Sequence, residues 1–224
     1  MKKHVLPPRK QKQSKADLQR NTPLILVSGP FGSGMEELAE LLAQHLQLPF
    51  YDPHRLEDLA SNREQHQRAW RDLKMAEGDF FDYWLGHLHD HSDLSAEEHL
   101  TRISLAIREI AGQGGIIAGI CPHLVQAGDC LFRMHVKASA RYCARRLASR
   151  HAIDEAEAML VFLQLETERQ RFLSSLFTEK ILESVQFDLV LEAEWLSLQQ
   201  MLAYSLQALR AKHFYLPEIV RDPS

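Results

Sequence analysis

Between Leu24 and Asp52 the chain sets Gly29-Pro-Phe-Gly-Ser-Gly34 at the junction of an apolar run, LILVS, and an amphipathic run, MEELAELLAQHLQ. Residues of these types suit the holding of a phosphate. Glycines at 29, 32 and 34 let the backbone curl closely around oxyanions. A helix opening directly behind them turns its free N–H groups and the positive end of its dipole toward the anion. The spacing follows the start of G-x-x-x-x-G-K-S/T, but Met35 stands where the lysine is expected and Glu36 where a hydroxyl ligand for Mg²⁺ is expected. Gly29, Gly32, Ser33, Gly34, Met35 and Glu36 are therefore candidate nucleotide-binding residues. A plain strand-to-helix turn is the competing account of the same glycines.

A second group is basic. Arg141, Arg145, Arg146 and Arg150 fall in one helical run and Arg169 and Arg171 in the next. Arg141 and Arg145 are four apart, as are Arg146 and Arg150, so each pair shares a helical face. Guanidinium groups converging over a phosphate loop would neutralise a transferring phosphoryl group, whose transfer is catalysed mainly by positioning and charge stabilisation. The alternative is a solvated face paired with Glu155, Glu157, Glu166 and Glu168. Asp52 closes a short apolar segment, at the strand end where open α/β sheets carry ligands; capping of a helix beginning near Pro53 is the other reading. His87-Leu-His89-Asp-His91-Ser-Asp93 has metal-ligand chemistry. Its spacing is one residue short of H-x-H-x-D-H and no second cluster accompanies it, so a polar turn is expected and no metal site is assigned.

These residues need elements to hold them. LILVS (24–28), Pro49-Phe-Tyr-Asp52, Gly115–Ile120, Cys130–Val136 and Phe187–Leu191 read as short buried strands. Helical spacing covers Met35–Gln47, Lys137–His151, Asp154–Phe177 and Trp195–Lys212. Alternation of this kind predicts a parallel sheet with helices on both faces. From Pro53 to Gly112 the chain is helical and polar, with Ser95-Ala-Glu-Glu98 as a capping box. That block exceeds a simple crossover and is expected to form a substrate-covering insertion.

Composition bounds the class. The chain has 224 residues, enough for one ample core. It has no apolar run of about 18 residues and no leader-like N-terminus, so a cytoplasmic protein with no membrane partner is expected. Cys121, Cys130 and Cys143 suit reduced, buried thiols. Residues 1–22 hold seven Lys or Arg against Asp17 alone, leaving about −10 on the rest of a chain whose net charge is −4. A disordered basic tail is expected there, while the acidic body argues against nucleic acid as a partner.

Three segments together resemble the opening of the cytidylate kinase-like family of P-loop kinases, related to the nucleoside monophosphate kinases. Gly32-Ser33-Gly34, Glu37-Leu38-Ala39 and Phe50-Tyr51-Asp52 match its loop, helix start and second strand in order and spacing. Further on, GGIIAGI resembles its third strand, the Arg145–Arg150 helix its lid region, Glu166-x-x-Arg169 its acidic-x-x-Arg element and FDLVL its last strand. The likeness spans about residues 23–212.

It implies an α/β, three-layer P-loop kinase-like fold with a five-stranded parallel sheet, helices on both faces and a helical insertion. The implied domain runs over 23–213, with the insertion at about 53–112 and a lid-like region at about 141–180, between the tail 1–22 and a C-terminal tail 214–224. ATP and Mg²⁺ are implied as nucleotide and cofactor. The implied activity is phosphoryl transfer to a nucleoside monophosphate or similar small acceptor, with Arg145, Arg150 and Arg169 as catalytic residues and Asp52 binding the acceptor. The family commonly lacks the loop lysine. It usually has Ser-Arg before the loop and Gly-Arg after the third strand, where this chain has Ser28-Gly29 and Gly119-Ile120. Losing those basic groups motivates the alternative of a catalytically impaired pseudokinase that binds nucleotide or a protein partner.

Overall fold

A strand flanked on both edges and both faces has no solvent side, so its sequence must be apolar throughout. In the computed structural model, which describes residues 22–52, 55–56, 106–119, 131–180, 185–212 and 214, β1 (Leu24–Ser28) is such a strand, buried at all five positions. It pairs in parallel with β3 (Gly115–Ala118) on one side and β4 (Leu131–Lys137) on the other. β2 (Phe50–Tyr51) adds to β3 and β5 (Leu189–Glu192) to β4, giving the order β2-β3-β1-β4-β5, all parallel.

Alternation along the strands divides the core. Ile25, Val27, Ile116, Phe132, Met134 and Val136 face one layer, built from α1 (Met35–Leu46), α2 (Ala140–His151), α3 (Glu155–Leu176) and α4 (Leu198–Ala211). Leu24, Leu26, Ile117 and Leu131 face the other, where Leu56 and the helical residues Ala106, Ile107 and Ile110 cover them. Helices thus lie on both faces, as the alternation predicts. α1 seats Leu38, Leu42 and Leu46 in the first core, each with no exposed surface, so this stripe fixes the helix whose N-terminus closes the glycine loop.

The expected boundaries shift where caps act. Ser139 accepts from Tyr142 N–H and caps α2, so Lys137 stays in β4, paired with Glu192 across the ladder and by an ion pair. Asp154 receives the N–H groups of Ala156 and Glu157 and starts α3. α4 begins behind Ser197, which forms a reciprocal capping box with Gln200, leaving Trp195 in the turn before it. Gln47 ends α1 in the left-handed region at φ 52. Phe187 precedes β5 and stacks on His135 instead of pairing in the sheet.

The basic tail to Asn21, most of the 53–112 insertion with its capping box, the His87–Asp93 cluster, Ile120, Cys121, Cys130 and the C-terminal segment from 215 lie outside the described residues.

Candidate nucleotide site at the carboxyl end of the sheet

The loop leaves β1 and turns at once. Ser33 N–H donates to Pro30 O at 3.1 Å, closing the turn, and Leu38 N–H donates to Gly34 O at 3.1 Å, opening α1. Gly32 and Gly34 hold φ of 75° and 91°, which L side chains rarely adopt. Gly34, the N-cap of α1, brings no side chain of its own to cap the helix, so the first N–H groups face the loop. Ser33 is fully buried and its Oγ has no hydrogen-bond partner among the described residues. A Cβ placed on Gly29 would lie 2.7 Å from that hydroxyl, so the hydroxyl turns back into the loop. A buried hydroxyl without a partner is costly and marks a place for one.

α2 forms the opposite wall. A Cβ on Gly32 would approach the Cys143 carbonyl oxygen to 2.8 Å, so that glycine admits the helix backbone. Between them lies a cleft of about 370 Å³, lined by the loop, the first turn of α1 and, from α2, Arg146, Leu147, Ser149 and Arg150. Arg146 Nη2 donates to Glu37 Oε1 at 2.5 Å, and Arg150 Nη1 lies 3.6 Å from both Glu36 Oε2 and Glu37 Oε1. The Arg146 guanidinium also lies 5.9 Å from the Tyr142 ring centroid, and its Nε is buried with no hydrogen-bond partner among the described residues. α3 reaches the loop from a third side. Glu166 Oε1 accepts from Phe31 N–H at 3.2 Å, while Arg169 donates Nε (3.0 Å) and Nη2 (2.5 Å) to Glu166 Oε2.

Two titrating groups sit beside the loop. Burial, aided by Glu166, pushes the Cys143 thiol up to about 12 against the opposing pull of Arg146, so this cysteine is protonated and unreactive. Burial, then Arg169 and Lys137, lower His135 below its ordinary 6.5, with Glu166 opposing them. The Ser28 hydroxyl donates to Met134 O at 3.0 Å, so it accepts from His135 Nδ1, also at 3.0 Å. That fixes which ring nitrogen carries the proton in the neutral imidazole.

The pattern that defines the cytidylate kinase-like family matches residues 24–194, from β1 through β5. The chain belongs to the cytidylate kinase-like family. None of the curated proteins matches it in sequence. Among solved structures, an uncharacterized protein from Eubacterium ventriosum aligns with a TM-score of 0.59 at 14% identity, over 85% of this chain and 99% of that one. A gluconokinase from Sinorhizobium meliloti aligns at 0.46 and 15% identity, covering 86% and 94% of the two chains. A shikimate kinase from Bacteroides thetaiotaomicron aligns at 0.42 and 15%, covering 84% and 96%. The first of these shares the fold.

In this member of the cytidylate kinase-like family the glycine loop and the first turn of α1 form one wall of the cleft. Gly32, Gly34, Met35 and Glu36 line the cleft, and Gly29 and Ser33 lie in the loop behind it. Met35, at the lysine position, is 2% exposed and packs in the core. Arg150 lines the cleft, and Arg169 reaches the loop through Glu166. Arg145 is outside the lining; its charge acts on Glu194, whose carboxyl is held low by side-chain and backbone hydrogen bonds with Ser139 and further by Arg145. Asp52 Oδ1 accepts from Arg55 N–H at 2.8 Å, the capping geometry foreseen as its alternative role. The i,i+4 spacing already pairs Arg146 with Arg150 on one face, but no local pattern places Glu37 opposite them. What was missing was which face of α2 meets α1.

Proposed function

We propose that this protein is a phosphotransferase that takes ATP at the Gly29–Glu36 loop and passes a phosphoryl group to a nucleoside monophosphate or similar small acceptor. The observation that carries this reading is the Ser33 hydroxyl, buried without a hydrogen-bond partner among the described residues, in a loop that opens into a helix whose N-cap residue, Gly34, supplies no side-chain cap. Phosphate oxygens supply the missing acceptors there. Arg146 and Arg150 on the facing wall take the place of the absent loop lysine, and Arg169 adds charge from α3. Mg²⁺ prefers one or two carboxylates together with phosphate oxygens and water. Glu36 and Glu37 on the cleft wall offer such donors, so the residues present fit it; when bound, it neutralises phosphate charge.

A coupled assay with ATP, Mg²⁺ and a panel of nucleoside monophosphates tests the reading. Turnover is expected with at least one acceptor, and Arg150→Ala is expected to lower kcat by about 10²-fold, as loss of one charge-stabilising donor does elsewhere. Absence of turnover while ATP still binds would overturn transfer.

A specific observation favours a second reading. Arg146, Arg150 and Arg169 each meet a carboxylate, and one loop N–H is already engaged by Glu166. A regulatory pseudokinase that binds nucleotide without turning it over would have such a site. Under that reading ATP raises the melting temperature, by mass action worth about 2.7 kcal/mol at a hundredfold excess over Kd, with no product formed.

A further inference from the structure

Glu166 lies 135 residues after Phe31 in sequence, yet its Oε1 accepts from a backbone N–H in the middle of the phosphate loop. Its other oxygen takes both donated bonds from Arg169, and the Glu166 side chain is only 18% exposed. A carboxylate held this way has the chemistry of the ligand the loop is shaped for, an oxyanion bound by backbone N–H and guanidinium together. Its charge also reaches Cys143 and His135, which flank the same loop. The contact does not serve to cap its own helix: Asp154 does that twelve residues earlier, and α3 runs on to Leu176.

We propose that Glu166 is an internal competitor for the phosphate site, a latch that occupies the Phe31 N–H and holds Arg169 until a nucleotide phosphate displaces it. The proposal rests on the nucleotide-binding reading above and adds its regulation. Displacement releases a backbone donor and a guanidinium in one step. Arg169 is therefore available to the phosphates only when an anion has taken the place of Glu166. An empty loop is kept from capturing inorganic phosphate, and binding carries a fixed electrostatic cost that the ligand must exceed.

The test measures binding of ATP and of inorganic tripolyphosphate by calorimetry, with the wild-type chain, Glu166→Gln and Glu166→Asp in parallel. Gln keeps the shape but removes the charge, whereas Asp keeps the charge near Arg169 but is one methylene too short for the loop. Both variants are expected to bind tripolyphosphate about tenfold tighter than wild type, the scale of one charge-assisted hydrogen bond. Binding by the variants with none by wild type also supports the latch. Wild-type binding with variants equal or weaker overturns the latch and leaves the nucleotide reading standing. No binding by any of the three overturns both. Independently of the variants, the wild-type Phe31 amide resonance is expected to shift on adding tripolyphosphate. An unmoved resonance at saturating ligand overturns the latch.

Discussion

Gly32 shows how much of the site depends on a single missing side chain. Its φ of 75° already disfavours any L residue, and the Cys143 carbonyl at 2.8 Å and Leu147 Cγ at 3.0 Å stand where a Cβ would go. The backbone oxygen cannot swing aside as a side chain would. Gly32→Ala is therefore expected to destabilise the fold by about 1–3 kcal/mol and to weaken nucleotide binding, since α2 must retreat from the loop. Urea unfolding with unchanged m and a lower midpoint checks the first part, and calorimetry with ATP the second. At this scale the glycine loop was legible because glycine spacing is a local property. The pairing of Arg146 with Glu37 was not, because it joins residues 109 positions apart across two helices.

Helix ends govern the next scale. α3 carries Glu166 and Arg169, and their placement against the loop depends on where that helix starts. Asp154 sets the start with bonds of 2.7 and 3.1 Å to Ala156 and Glu157 N–H groups. Asp154→Ala is expected to cost about 1 kcal/mol, and Ser197→Ala, which breaks the α4 capping box, a similar amount. The two are separable by function. Only the α3 change is expected to alter phosphate binding, a difference read by combining thermal unfolding with ATP titration. Elements were the most legible level in the sequence, since each helix face and buried strand repeats a period that the residues state directly. Their ends moved by a few residues because caps compete with periodicity, as at Ser139 and Ser197.

For the whole molecule, the pH response follows from His135. The unfolded chain protonates this imidazole near its ordinary 6.5, whereas the folded chain resists until a lower pH, because burial, Arg169 and Lys137 disfavour the cation. Below about 6.5 the unfolded state thus binds the extra proton, and stability falls as pH falls from there toward the lowered folded value. Above 6.5 this contribution is fully present. His135→Gln is expected to flatten that part of the stability profile between pH 7 and 5, measured by urea midpoints at each pH. An unchanged slope would show that other groups carry the acid response.

Fold class, family, glycine loop and missing lysine are all legible in the chain alone, because they are written in local period, residue type and short spacing. The character of the site came from packing. It turned Arg146 and Arg150 toward Glu36 and Glu37 and left Arg145 outside the cleft. It also brought Glu166 to the Phe31 N–H and buried the Ser33 hydroxyl with no partner among the described residues. Helix packing sets which charges meet across the sheet's carboxyl edge. Long-range pairings of that kind leave no periodic mark on the chain.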